Sequence, residues 1–136
     1  RETIVFWPER MSWAHYNAKG ERIRAGPAIG GKGGARTNAG CVSIMERASP
    51  ARRSSIYGVK IPYFLRITQS GQGFHAGPMR GVHESAGCIR LFRADARYLS
   101  QVVARAAGMR RFGWLTAAEQ QRTPRACVWY AGRARK

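Results

Sequence analysis

A mainly β or α+β sandwich in a single domain is the fold class this sequence predicts, and three observations predict it. Short apolar segments recur along the chain, separated by glycine- and asparagine-bearing turns. Only one longer stretch, Ala94 to Ala106, carries a sustained helical period. The length of 136 residues suits one domain, residues 1–136, and is enough to bury a core without metal or disulfide staples.

In chain order, Ile4-Val5-Phe6 and Met11 to Tyr16 read as two strands. Asn17-Ala18-Lys19-Gly20 is turn chemistry, and Glu21 to Ile29 returns as the hairpin partner. Gly30-Gly31-Lys32-Gly33-Gly34 lacks the Gly-Lys-Ser/Thr ending of a phosphate-binding loop, so it reads as a mobile or sharply turning connection. Cys41 to Met45 is a strand, Ala48 to Gly58 a surface loop, and Tyr63 to Thr68 another strand, with Phe64 and Arg66 facing one way and Leu65 and Ile67 the other. After a turn at Ser70 to Gly73, Phe74-His75-Ala76 makes a short strand expected to leave His75 at a sheet edge, followed by a loop from Pro78 to Glu84. The helix of residues 94–106 sets Leu99, Val102, Val103 and Ala106 on one face. Asp95 lies in its first turn and Gly108 stops it. Thr116 to Glu119 forms a capping-box pattern that opens another helical turn, Ala126 to Tyr130 is a last strand, and the basic tail from Arg133 to Lys136 reads as frayed.

Charge is the extreme feature of the composition: 24 Lys and Arg against 7 Asp and Glu give +17. Such a field attracts polyanions. The basic residues are scattered from end to end, and no basic helix or nucleic-acid module organises them, so a specific nucleic-acid function is disfavoured. Anionic envelope polymers or lipid head groups are equally physical partners. No apolar run approaches the roughly 20 residues of a bilayer-spanning helix. The chain opens on Arg1 rather than methionine, and the expectation is that an upstream segment has been removed. Of three cysteines, Cys41 and Cys127 read as small buried apolar residues in strands, with pairing in an oxidising compartment as the alternative.

The third cysteine carries the chemistry. Cys88 follows a glycine in Ser85-Ala86-Gly87-Cys88-Ile89-Arg90-Leu91, and His75 lies 13 residues upstream. A thiol is a nucleophile only as thiolate, and an imidazole within reach can take its proton and later return it to a leaving amine. The N–H groups of Gly87 and Cys88 are candidate donors to an oxyanion, and Gly87 leaves room for close approach of substrate. Arg90 reads either as a fork for a substrate carboxylate or as an anchor of the loop to a carbonyl. His83 either lines the cleft or is solvated, the second being favoured, and His15 reads as a hydrogen-bonded core residue. No metal-ligand spacing is present, and no cofactor is implied.

The run Gly73-Phe74-His75-Ala76-Gly77, Gly81 and Ser85 to Leu91 resembles the signature of the YkuD-type catalytic domain of L,D-transpeptidases. That pattern is an apolar residue, His, a small residue, a loop, then Ser/Thr-His-Gly-Cys, an apolar residue and Arg. Tyr16 to Gly20, the Thr37-Asn38-Ala39-Gly40 segment and Ile61-Pro62-Tyr63-Phe64 extend the likeness, which is clearest over residues 11–106. Ala86 stands where the family usually has histidine, and Asn38 where it has proline. The resemblance implies a β-sandwich catalytic domain. Cys88 would be nucleophile and His75 base, with the Ala76 carbonyl orienting the imidazole and Gly87 in the catalytic loop. Ser85 would brace that loop, and Tyr63, Gly77, His83, Ser85 and Arg90 would border the substrate. It further implies peptidoglycan stem peptides as substrate, exported work in the periplasm or cell envelope, 3→3 cross-linking through a thioester, and acylation by carbapenems. Water in place of the amine acceptor would make an L,D-carboxypeptidase, and loss of catalysis a polyanion- or wall-binding module.

Overall fold

The computed structural model describes residues 1–33 and 36–131. Ten strands form one continuous sheet: β1 (Thr3–Trp7), β2 (Ser12–Tyr16), β3 (Arg22–Ile29), β4 (Gly40–Ser43), β5 (Glu46–Arg47), β6 (Leu65–Arg66), β7 (Gly73–Ala76), β8 (Ile89–Leu91), β9 (Gly113–Trp114) and β10 (Arg125–Val128). Their order is β4-β10-β1-β2-β3-β8-β7-β6-β5-β9. The sheet curls, so that Ile4, Phe6, Trp13 and Ala126 from its first half share one core with Leu65, Phe74, Ile89 and Leu91 from its second. Helix α1 (Arg93–Ala107) packs on β7 and closes that core with Leu99 and Val103; Gly108 ends it in the left-handed conformation. A second helix, α2 (Ala117–Arg122), opens on the capping box expected from the sequence, with Thr116 Oγ1 accepting from the Glu119 N–H and the Glu119 carboxylate accepting from the Thr116 N–H.

The fold class, the first hairpin, both helices and the last strand agree with the sequence reading, and α1 is one residue longer at each end than expected. Three expectations need correction. The strand expected from Tyr63 to Thr68 is only Leu65–Arg66, because Tyr63 stands at φ +60, which breaks an extended run. Its alternation holds nonetheless: Leu65 and Ile67 enter the main core, while Phe64 joins the smaller cluster on the other face with the Arg66 guanidinium over its ring. β7 is not at an edge: it lies between β6 and β8, and all four of its residues are buried. Cys41 and Cys127 form a disulfide across the β4–β10 pair, where they are direct register partners, and Cys41 is exposed rather than buried. The tail from Arg133 to Lys136 lies outside the described residues.

His15 is a core residue as expected, bonded to Glu2 Oε1 at 2.5 Å and to the Tyr98 hydroxyl at 2.7 Å. Gly73, at the head of β7, matters for a different reason: a Cβ there would lie 2.1 Å from the Leu65 carbonyl oxygen. The Gly73→Ala variant is therefore expected to force β6 and β7 apart and to destabilise the fold by about 3 kcal/mol. Denaturant unfolding checks this, and a midpoint equal to wild type contradicts it.

Candidate active site

Strand register brings the two principal residues onto one surface. β7 and β8 run parallel, with Phe74 opposite Ile89, His75 opposite Arg90 and Ala76 opposite Leu91. Phe74, Ile89, Ala76 and Leu91 enter the main core, so His75 and Arg90 project from the opposite face. Cys88 immediately precedes Ile89 and shares that opposite face, where it packs on the smaller cluster of Ala48, Ile61 and Phe64. Cys88 stands two positions before Arg90, the register partner of His75, so His75 and Cys88 lie diagonally across the β7–β8 pair on that face.

The imidazole is fixed in one tautomer. His75 Nδ1–H donates to the Ala76 carbonyl at 2.7 Å, which leaves Nε2 as the basic nitrogen of the neutral ring. Burial lowers its pKa below the usual histidine value, the Ala76 bond opposes this, and the nearby Arg90 guanidinium adds to the lowering. Burial likewise raises the Cys88 thiol above its usual range, against the pull of the Gly73 backbone, Arg90 and Arg66. At rest the imidazole is thus neutral and the thiol protonated. The thiol donates to the Gly71 carbonyl at 3.6 Å.

The loop carrying the thiol is held from inside and outside. Ser85 Oγ donates to the Cys88 carbonyl at 2.5 Å and accepts from the Gly87 N–H at 3.1 Å, the bracing expected of this serine. One consequence corrects the sequence reading: the Gly87 N–H already has an acceptor, and only the Cys88 N–H remains free as a donor among the described residues. Gly87 stands at φ +126, a conformation for which glycine is needed, and a Cβ there would meet Gln72 Nε2 at 2.9 Å. From outside, Thr37 Oγ1 donates to the Gly87 carbonyl at 2.8 Å.

Arg90 is neither a free fork nor bonded to a carbonyl. Its guanidinium meets Glu84 Oε1 at 3.1 Å, and Glu84 also faces Arg80 at 3.5 Å. Gly77 lies under the Arg90 stem and the His75 ring, within 3.1–3.3 Å of where a Cβ would stand. Tyr63 is half-buried beneath the Arg93 guanidinium, 5.3 Å from its ring centroid. His83 is not solvated: Nδ1 accepts from the Gly30 N–H at 2.9 Å and Nε2–H donates to the Pro8 carbonyl at 2.7 Å, tying its loop to β3 and the first hairpin. It borders a cavity of about 550 Å³ with Phe6, Lys32, Arg36 and Tyr130, and neither Cys88 nor His75 lines that space. Sequence reasoning assigned no role to Thr37 and passed over Gln72 and Glu84. Thr37 sits inside a matched segment, but its partner is 50 residues away, and no local signal announces that contact.

A family model, the YkuD L,D-transpeptidase catalytic domain, matches residues 2–116. No curated protein matches. Among solved structures, the chain is similar to an L,D-transpeptidase (Yku) from Stackebrandtia nassauensis, at 22% identity and a TM-score of 0.69, with 94% of this chain and 55% of the other covered. It is also similar to an L,D-transpeptidase from Mycobacterium tuberculosis H37Rv, at 19% identity, a TM-score of 0.68 and coverage of 94% and 57%. A third likeness is to L,D-transpeptidase LdtMt1 in complex with imipenem, at 20% identity, a TM-score of 0.65 and coverage of 94% and 58%. The chain spans little more than half the length of these proteins.

Proposed function

Because the chain belongs to the L,D-transpeptidase catalytic-domain family, we propose that it is a cysteine acyl-transferase of peptidoglycan, folded as a single catalytic domain over residues 1–136. The observation that carries the proposal is the β7–β8 register, which sets His75 and Cys88 diagonally on one face.

In the proposed reaction His75 Nε2 takes the Cys88 proton as Sγ bonds to the carbonyl carbon joining the L-centre of diaminopimelate to D-alanine. The tetrahedral intermediate's oxygen carries negative charge and faces the Cys88 N–H. The C–N bond then breaks, and the imidazolium gives its proton to the leaving D-alanine amine. A side-chain amine of a second stem attacks the thioester and gives a proton to His75 Nε2, the C–S bond breaks, the imidazolium passes that proton to Sγ, and a 3→3 cross-link remains. The Ala76 carbonyl keeps the imidazole in the tautomer this sequence needs, and Ser85 holds the loop. Arg90 and Glu84 form the charged border of the proposed substrate surface. Gly77 borders it beside the His75 ring and the Arg90 stem, Tyr63 lies beneath Arg93, and His83 borders the separate cavity instead. A charge of +17 favours residence in an anionic cell envelope, as for an exported domain. Among the described residues no helix is long and apolar enough to cross a membrane.

Incubation with tetrapeptide stems followed by mass analysis tests the assignment. Cross-linked product is expected; tripeptide alone assigns the carboxypeptidase reaction with water as acceptor, and unchanged stems count against both. The lowered His75 pKa adds a pH prediction. The acylation rate is expected to fall to half its neutral-pH level only below about pH 6.5, the ordinary histidine value, because the buried ring resists protonation. A half-maximal point above pH 6.5 contradicts this.

A further inference from the structure

The backbone of the nucleophile loop is controlled by a side chain from a distant segment. A peptide unit is planar and trans, so its C=O and N–H point in opposite directions and turn together. The Gly87–Cys88 peptide has the Gly87 carbonyl at one end and the Cys88 N–H at the other. Glycine at position 87 places little steric restraint of its own on the rotation of that plane. The Gly87 carbonyl is instead gripped by Thr37 Oγ1 at 2.8 Å.

Thr37 is well placed to hold it. The residue is 2% exposed. Its hydroxyl accepts from the Gly31 N–H at 3.2 Å while donating to Gly87, so its single proton is committed. Its own carbonyl accepts from the Tyr130 hydroxyl at 2.7 Å. The next residue, Asn38, donates its N–H to Gln72 Oε1 at 3.0 Å, and the same Gln72 side chain packs against Gly87. Four residues on, the Cys41–Cys127 disulfide fastens the segment to β10.

We propose that Thr37 is a positioning residue for acylation: by holding the Gly87 carbonyl, its hydroxyl aims the Cys88 N–H at the site where the oxyanion develops. The inference rests on the acyl-transfer reading above. A hydrogen bond accepted by the carbonyl also polarises the peptide and strengthens its N–H as a donor. Loss of an oxyanion donor outright costs about 10²–10³ in rate. Misaiming one is expected to cost at least about tenfold, since small displacements of catalytic groups carry penalties of that order or greater.

Two reactions at the same sulfur provide the test. Acylation by a carbapenem builds an oxyanion; alkylation by iodoacetamide displaces iodide at a saturated carbon and builds none. For Thr37→Val, nearly the same shape without the hydroxyl, the ratio of acylation to alkylation rate constants is expected to fall at least about tenfold, and Thr37→Ser is expected to restore most of it. Thermal melts confirm that each variant is folded, and Thr37→Ala replaces the valine variant if that one is not. An unchanged ratio overturns the proposal, whether both rates are intact or fall in step, as does a serine variant no better than valine. A wild-type protein that alkylates but never acylates would remove the acyl-transfer reading itself. An acylating wild type with an unchanged valine variant would remove only the role of Thr37.

Discussion

Replacing Cys88 with alanine is expected to abolish the covalent adduct that wild-type protein forms with a carbapenem such as meropenem. The expectation follows from the thiol inventory. Cys41 and Cys127 are joined to each other, which leaves Cys88 as the free thiol of the chain. A β-lactam carbonyl that opens on this protein therefore has one sulfur to meet. Intact mass spectrometry reads the result directly: wild type should gain the mass of the drug, and Cys88→Ala should gain nothing. His75→Ala should retain the thiol yet react about 10²–10⁴ times more slowly, the usual contribution of general base catalysis. That deficit should narrow above the thiol's raised pKa, where hydroxide supplies the thiolate without help from the imidazole. An unmodified wild type would favour the non-catalytic binding module, for which Ala86 in place of the usual histidine is the main argument in the sequence. An adduct on Cys88→Ala would mean that another group is the nucleophile.

Removing the Cys41–Cys127 disulfide through the paired Cys41→Ser and Cys127→Ser substitutions is expected to produce the largest loss of stability. The bridge spans 86 residues of sequence, and opening a loop of that length restores conformational freedom to the unfolded chain worth about 4 kcal/mol. For a domain of this size that corresponds to a fall in melting temperature of about 10–20 °C. The damage is expected to concentrate at β4, an edge strand whose paired neighbour is β10. Thermal melts of the double variant, and of wild type with and without a dithiol reductant, provide the measurement. A shift of only a degree or two in both would show that backbone pairing of β4 with β10 suffices by itself.

The parts of this fold that the sequence discloses are those whose physics is local. The capping box at Thr116 and Glu119, the apolar stripe of α1 and the Asn17–Gly20 turn each depend on residues a few positions apart. The Ser85 bonds to Gly87 and Cys88 are local too, and the loop bracing was anticipated. What escaped was long-range or quenched by context. β8 and β9 are too short to carry a period. The facing of Phe64 against Leu65 and Ile67 follows from strand alternation, but the length of β6 does not, because the positive φ of Tyr63 leaves no pattern in residue type. The cysteine pair depends on β4 meeting β10, which residue type alone does not reveal. His83 looked like a loop residue in water because nothing nearby in sequence suggests Gly30 and Pro8 as its partners. At the candidate site, the identities of Cys88 and His75 were legible from a spaced pattern, while the supports at Thr37, Gln72 and Glu84 became visible only once separated segments were seen together.

The placement of β1 has a consequence for biosynthesis. Thr3 to Phe6 lie within the sheet order and run parallel to Arg125 to Val128, so β1 is flanked on one side by β10. As a ribosome delivers these residues in order, that flank stays vacant until Arg125 to Val128 have emerged. Closure of that side of the sheet therefore waits on a partner strand 122 residues further along (Thr3 to Arg125), a long-range pairing of the kind that forms slowly.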